Sequence, residues 1–170
     1  MVNWLNSIIK AGSRIKAAIR KRATKEELAK SNYVSCCKGL ISKKEITNNF
    51  HTCPYCFKHF KVTPAERFGY LFDSGIYETF KTPIPNDDPL GFVAVKAYKD
   101  QLKSARKKTG LDCSMVVASG EINKIKCTAI ASDWGFLGSS IEAAEGESIL
   151  FAAMHAIENK QPLIIVAQGG

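Results

Sequence analysis

Apolar residues recur at helical spacing along residues 2–22, where Leu5, Ile8, Ile9, Ile15 and Ile19 are interleaved with Lys10, Arg14, Lys16 and Arg20 to Arg22. The spacing predicts a basic amphipathic helix, with Gly12 on its apolar stripe, and a linker reaching residue 30. A terminal docking helix accounts for this segment most simply, and a transit peptide, a membrane-surface helix and an RNA arm share its composition. From residue 33 the pattern shortens to β-like runs around a group of cysteines. Residues 31–62 form a module too small to bury a core without a staple such as a metal ion.

Thr63, Pro64 and Glu66 then read as N-cap, N1 and N3 of a capping box, starting a helix that runs to the turn residues Asp73, Ser74 and Gly75. Lys81 to Gly91, with three prolines, is a connecting loop. A second helix is expected from Phe92 to Thr109, ended by Gly110, with Val95, Tyr98, Leu102 and Ala105 on its apolar face. The period changes to strand alternation over Ser114 to Ile122 and Ile125 to Asp133, a hairpin turning at Asn123 and Lys124. A third helix fits Ile141 to Glu158, with Ile149, Leu150, Ala153 and Ile157 expected inward, and Pro162 to Ala167 is a buried-type strand before Gly169 and Gly170. Hairpin, helix and strand make a ββα progression, so residues 63–170 are expected to form a layered α/β domain.

The formal net charge of +8 belongs to one end of the chain. The first 67 residues hold 14 Lys/Arg against 4 Asp/Glu, and the rest hold 10 against 12. This field suits an anionic partner without choosing among nucleic acid, an acidic protein face and a phosphate-bearing ligand. No run of 18 apolar residues is present, so the sequence predicts no membrane span.

Four of the six cysteines fall between Cys36 and Cys56. Clustered thiols without a signal-peptide pattern read as a metal site, and the C-P-x-C knuckle of Cys53 and Cys56, with fifteen residues between Cys37 and Cys53, has zinc-ribbon spacing. The first knuckle is irregular, because Val34 stands where its other cysteine belongs and Cys36 adjoins Cys37. Neighbouring side chains of an extended segment point to opposite faces, so both bind one ion only if the turn distorts. Cys36, His51 and His59 are the candidates for the fourth ligand. Such a closed site is structural, since four protein ligands leave no position for substrate.

Cys113 and Cys127 lie in apolar runs and are expected in the core. His155 is expected to pack within its helix. Asp133, Glu142, Glu145 and Glu147 are the candidate carboxylates, the three glutamates gathering where a helix N-terminus favours negative charge. No familiar nucleotide-binding, serine-hydrolase or zinc-protease motif occurs. What remains is backbone chemistry at Gly138 and at Gly169 with Gly170, where glycine N–H groups opening a turn can hold an oxyanion.

The succession WLNSI, CPYC, TPAERFGYLFDSGIYETF, KAYKDQLKSARKKTG, DWGFLGSS, GESI and PLIIVAQGG resembles the β subunit of the carboxyltransferase component of bacterial-type acetyl-CoA carboxylase. The resemblance implies a zinc ribbon, with Cys36, Cys37, Cys53 and Cys56 as its metal ligands, and then a crotonase-like spiral of ββα units, incomplete here. It implies a cytoplasmic enzyme of fatty acid synthesis that works with a carboxyltransferase α subunit, biotin carboxyl carrier protein and biotin carboxylase. Carboxybiotin on the carrier gives its carboxyl group to acetyl-CoA, forming malonyl-CoA. Gly169 and Gly170 take the place of the glycines whose N–H groups hold the enolate oxygen, after Gln168 where the family has serine. Gly138 belongs to an acyl-CoA or biotin loop that reads Gly138, Ser139, Ser140, Ile141, Glu142. The chain corresponds to the family's first half, and the isolated 170-residue polypeptide is expected to be inactive. The competing class is a basic zinc-ribbon module binding nucleic acid, with Tyr55, Phe57 and Phe60 available for stacking.

Overall fold

A computed structural model describes residues 32–37 and 39–169. The predicted basic helix and Gly170 lie outside the described residues. The chain divides into two compact units, one up to Phe60 and one from Lys61 onward.

The first unit opens with an antiparallel hairpin, β1 (Tyr33–Cys36) and β2 (Gly39–Ser42), in the register Tyr33 to Ser42 and Cys36 to Gly39. A six-residue helix, α1 (Lys43–Asn48), follows, where sequence pattern alone gives only β-like runs. Ile46 is its single buried residue, packed with Ile41 and Cys53 against Val34, Cys36 and Phe60. Thr52 bridges antiparallel to His59 and closes the loop that carries the second pair of cysteines.

The second unit begins with α2 (Pro64–Leu71), where the expected capping box is present. The Thr63 N–H donates to Glu66 Oε2 at 2.8 Å and the Glu66 N–H donates to Thr63 Oγ1 at 3.3 Å. A four-stranded sheet follows in the order β3 (Tyr77–Phe80), β4 (Met115–Ile122), β5 (Ile125–Ser132), β6 (Leu163–Val166). The edge strand β3 is not visible in the sequence pattern, because YETF is short and lies half-exposed on both faces. The β4–β5 turn places Asn123 at φ 50° and Lys124 at φ 65°, the paired positive dihedrals of a tight hairpin, and Asp73 holds it by accepting both backbone N–H groups at 3.0 and 2.9 Å. Strand β6 pairs parallel to β5, which requires a crossover, and α4 (Ala143–Glu158) supplies it.

Strand alternation sends two sets of side chains to opposite faces of the sheet. Ala118, Cys127, Ala129 and Ala131 pack with Phe68 and Phe72 of the α2 region. Cys113, Met115, Val117 and Ile130 pack with Ala152 of α4. Both outlying cysteines are buried, as expected. The result is a helix–sheet–helix arrangement with the sheet as the middle layer.

Two expectations about the helices are corrected. The second helix, α3, spans Tyr98–Thr109 rather than starting at Phe92, and Val95 is 98% exposed instead of lying on the inner face. Residues 92–97 form a folded loop: Asp88 Oδ1 accepts the Phe92 N–H at 2.9 Å, the Phe92 carbonyl accepts the Tyr98 N–H, and no side chain caps Ala97. The C-terminus is as expected, with Gly110 in the left-handed conformation at φ 73°. On α4, Glu145, Ser148, Ala152 and Ala156 face inward with Ile149 beside them, while Leu150, Met154 and Ile157 are exposed. The helix is apolar on two sides, so periodicity alone cannot select the buried one. Small residues win because they let the helix approach the sheet closely.

No helix among the described residues is long and apolar enough to cross a membrane.

Candidate functional site

The irregular first knuckle finds its physical answer in the hairpin. Cys36 pairs with Gly39, which sits at φ 106°, and Cys37 lies in the turn between them, outside strand alternation. Adjacent side chains are thereby freed from opposite faces. The Sγ atoms of Cys36, Cys37, Cys53 and Cys56 all lie within 4.8 Å of one another, with Cys36–Cys56 at 3.5 Å and Cys37–Cys53 at 3.9 Å. Four thiolates about 2.3 Å from a tetrahedral zinc would stand roughly 3.8 Å apart, so this cradle has the right size for a metal ion.

Backbone donors complete the cradle. The Tyr55 N–H donates to Cys53 Sγ at 3.4 Å. The Lys58 N–H, followed by hydrogen bonding with Cys37, draws the Cys56 thiol down to about 6. The same sharing with Cys56, together with desolvation, pushes Cys37 up to about 12, and desolvation raises Cys36. Neither His51 nor His59 belongs to the cluster; His59 Nδ1 lies 3.3 Å from Thr52 Oγ1. Phe60 packs on the small core beside the cysteines, whereas Tyr55 and Phe57 are exposed.

In the second unit the structure brings together two loops that the sequence lists far apart. After β5, Leu137, Gly138 and Ser139 have successive positive φ values of 44°, 71° and 62°, which folds the chain sharply at Gly138. Asp133 Oδ1 accepts the Gly135 N–H at 2.5 Å, and the buried Phe136 ring anchors this loop to Leu102 and Ala105 of α3. Gly169 follows β6 and meets the loop directly: a Cβ at Gly169 would stand 3.5 Å from the Ser139 carbonyl oxygen and 3.9 Å from that of Gly138.

Gln168 fixes the approach of that turn. Its backbone N–H donates to Ser132 Oγ at 2.8 Å, Ser132 Oγ donates back to its carbonyl, and its side-chain amide donates to the carbonyls of Ser132 and Val62 at 2.6 and 2.8 Å. Sequence reading notes Gln168 only as a replaced serine; its clamping role depends on where β5 and Val62 end up in space.

The candidate carboxylates are used structurally. Glu145, 2% exposed, accepts the Ser114 N–H at 2.7 Å and the Glu142 N–H at 3.2 Å. Burial, with the nearby Glu145 charge, raises Glu142 above the ordinary carboxylate range. Asp133 holds the loop as described, and Glu147 is exposed. His155 packs 4.6 Å from the Phe80 ring, and its Nδ1 is 2.9 Å from Thr128 Oγ1.

A four-cysteine cluster able to hold a metal ion precedes a β–β–α–β unit that ends in a glycine turn, and comparison places the chain beside carboxyl transferase subunits. No family model matches it. Over 169 residues, 99% of its length, it is 50% identical to the acetyl-coenzyme A carboxylase carboxyl transferase subunit beta of Pelagibacter ubique, 55% of which is covered. It is 34% identical over 99% of its length to the protein of that name from Jannaschia sp., 52% of which is covered. The same name belongs to a Chlorobaculum tepidum protein, 34% identical over 79% of this chain and 48% covered. These β subunits are homologues of this chain. The chain spans about half the length of the curated relatives it matches.

Proposed function

We propose that the chain forms part of the carboxyltransferase β subunit of acetyl-CoA carboxylase, moving a carboxyl group from carboxybiotin on its carrier protein to acetyl-CoA to give malonyl-CoA. The observation that carries this reading is the meeting of Gly169 with the Gly138–Ser139 loop, in a chain 50% identical along 99% of its length to a protein of that name. The succession β4–β5–α4–β6, an antiparallel hairpin joined through a helix to a parallel strand, supports a crotonase-like spiral of ββα units.

The reaction removes a methyl proton from the acetyl thioester, and the carbonyl oxygen takes on negative charge. Backbone N–H groups fixed in a turn stabilise that charge without reorganising. Gly169, with Gly170 beyond the described residues, holds the oxygen; Gln168 and Ser132 fix the turn, and the sharp bend at Gly138 gives the thioester its second wall. Biotin, delivered on the carrier protein, supplies the carboxyl group. The α subunit and biotin carboxylase complete the assembly, which works in the cytoplasm.

Cys36, Cys37, Cys53 and Cys56 would hold zinc as a structural ion, its four ligands leaving no position for substrate. The cradle dimensions given above support this.

The test grafts this chain in place of the matching segment of the Pelagibacter ubique relative, adds an α subunit and follows malonyl-CoA formation. Turnover is expected. A folded, metal-loaded chimera that assembles with the α subunit yet transfers no carboxyl group would overturn the reading.

A further inference from the structure

The loop ahead of α3 turns apolar side chains outward. Leu90 and Val95 are 89% and 98% exposed, and Phe92 and Val93 are more than half exposed. Fraying does not explain this, because the loop's backbone is tied down. Asp88, itself buried, accepts the Phe92 N–H at 2.9 Å through Oδ1 and the Gly91 N–H through its carbonyl. Val93 bridges antiparallel to Ala97, and the Lys96 carbonyl accepts the Ala94 N–H and, at 3.2 Å, the side-chain amide of Gln101. Four apolar groups displayed together on an ordered loop mark an interaction surface.

The charge beside them is equally local. Residues 89–110 hold six Lys/Arg against one acidic residue, Asp100, while the remainder of the second unit holds six against twelve. Lys96, Lys99, Lys103 and Lys107 are exposed, and the last three recur every four residues along one side of α3. Among the described residues none of these four lysines pairs with a carboxylate, whereas Arg106 on the same helix is turned to Asp87.

An apolar tip adjoining cations, in a unit that is otherwise acidic, fits an anionic lipid surface: the apolar side chains enter the boundary between headgroups and acyl chains, and the ammonium groups meet the headgroups. A macromolecular partner in solution fits less well. Side chains as exposed as Leu90 and Val95 offer it no groove, and an acidic protein or a nucleic acid would engage the lysines and leave the apolar tip unused.

We propose that the second unit docks on anionic lipid bilayers through Leu90, Phe92, Val93 and Val95, with Lys96, Lys99, Lys103 and Lys107 meeting the headgroups. Such attachment is peripheral and reversible and requires no membrane-spanning helix. It is independent of the carboxyl transfer proposed above.

The test sediments the full chain with vesicles of phosphatidylcholine, pure or mixed about 7:3 with phosphatidylglycerol, and binding to the mixed vesicles should be at least about ten-fold stronger. Raising salt from about 50 to 300 mM should weaken it several-fold, since exposed ammonium groups are screened. Leu90→Asp with Val95→Asp should weaken it at least about ten-fold with unchanged circular dichroism, because charges replace the inserting groups. Lys99→Glu with Lys103→Glu should have a similar effect. Ile125→Asp, at an exposed apolar residue of the β4–β5 hairpin, should leave binding within about two-fold. Insertion is read directly with Phe92→Trp in a chain carrying Trp4→Phe and Trp134→Phe, whose single tryptophan should shift its emission to shorter wavelength on mixed vesicles. The basic segment 2–22 is present in every variant. Binding that survives Leu90→Asp with Val95→Asp would therefore assign attachment to that segment or to the lysines alone, and would overturn the proposal. Equal binding to pure phosphatidylcholine, no binding to either vesicle, release by Ile125→Asp as complete as by the loop variant, or unshifted emission from a bound chain would also overturn it.

Discussion

The two units hold themselves together by different means. Among the described residues, the first has three buried core residues, one of them the ligand candidate Cys53, and short elements whose isolated stability is negligible. The second has two apolar clusters on opposite faces of a four-stranded sheet, closed by helices. With the metal site proposed above, one unit takes its stability from coordination and the other from burial, within a single chain. The same perturbation should affect them very unequally.

Metal removal is the largest expected effect. Structural zinc contributes on the order of 10–16 kcal/mol of apparent binding free energy in small modules. Chelation, or Cys53→Ser, should abolish amide protection over residues 33–60 while β4 and β5 stay protected, as hydrogen exchange would report. Equal loss in both units would break the contrast.

The reverse perturbation is Gly120→Val. A Cβ at Gly120 would stand 2.6 Å from Phe72 Cδ1 and 2.9 Å from the Ile76 carbonyl oxygen, so the aromatic cluster over the sheet must move. Overpacking of this kind costs about 1–3 kcal/mol. A lowered midpoint for the second unit, with metal content still stoichiometric, is the expected outcome. Glu145→Ala removes the acceptor of a buried N–H at Ser114 and should cost about 1–3 kcal/mol in the same denaturation experiment.

The smallest effect sharpens the contrast through pH. Arg106 donates to both Asp87 oxygens at 2.6 Å, and this pairing holds the Asp87 carboxyl below its usual range. The stabilisation is fully present above the unfolded carboxylate value of about 3.9 and is lost as pH falls through the lower folded value. Asp87→Asn should remove that acid-dependent portion, less than about 1 kcal/mol at neutral pH because both groups are partly exposed.

Local signals made part of this architecture legible in the sequence. Thr63, Pro64 and Glu66 specify their helix start, Gly110 its neighbour's end, and Asn123 with Lys124 the hairpin, each through chemistry confined to a few adjacent residues. The C-P-x-C knuckle likewise signalled the gathering of four cysteines able to hold a metal ion. Features decided by distant partners were not legible. The inward face of α4 depends on how closely the sheet admits it, and strand β3 exists because β4 offers an edge. Cys36 joins the cluster only because the hairpin turns at Cys37. Gln168 had no local signal at all, since its partners Val62 and Ser132 are brought to it by the fold.

The central claim is that the Gly169 N–H, in the turn that meets the Gly138–Ser139 loop, holds the oxyanion. In the assembled chimera, Gly169→Ala keeps the N–H and adds a methyl group at ordinary contact distance, whereas Gly169→Pro deletes the donor. Malonyl-CoA formation should stay within about ten-fold for alanine and fall about 10²–10³-fold for proline, the usual consequence of losing one oxyanion donor. A folded proline variant that turns over at the alanine variant's rate would contradict the account.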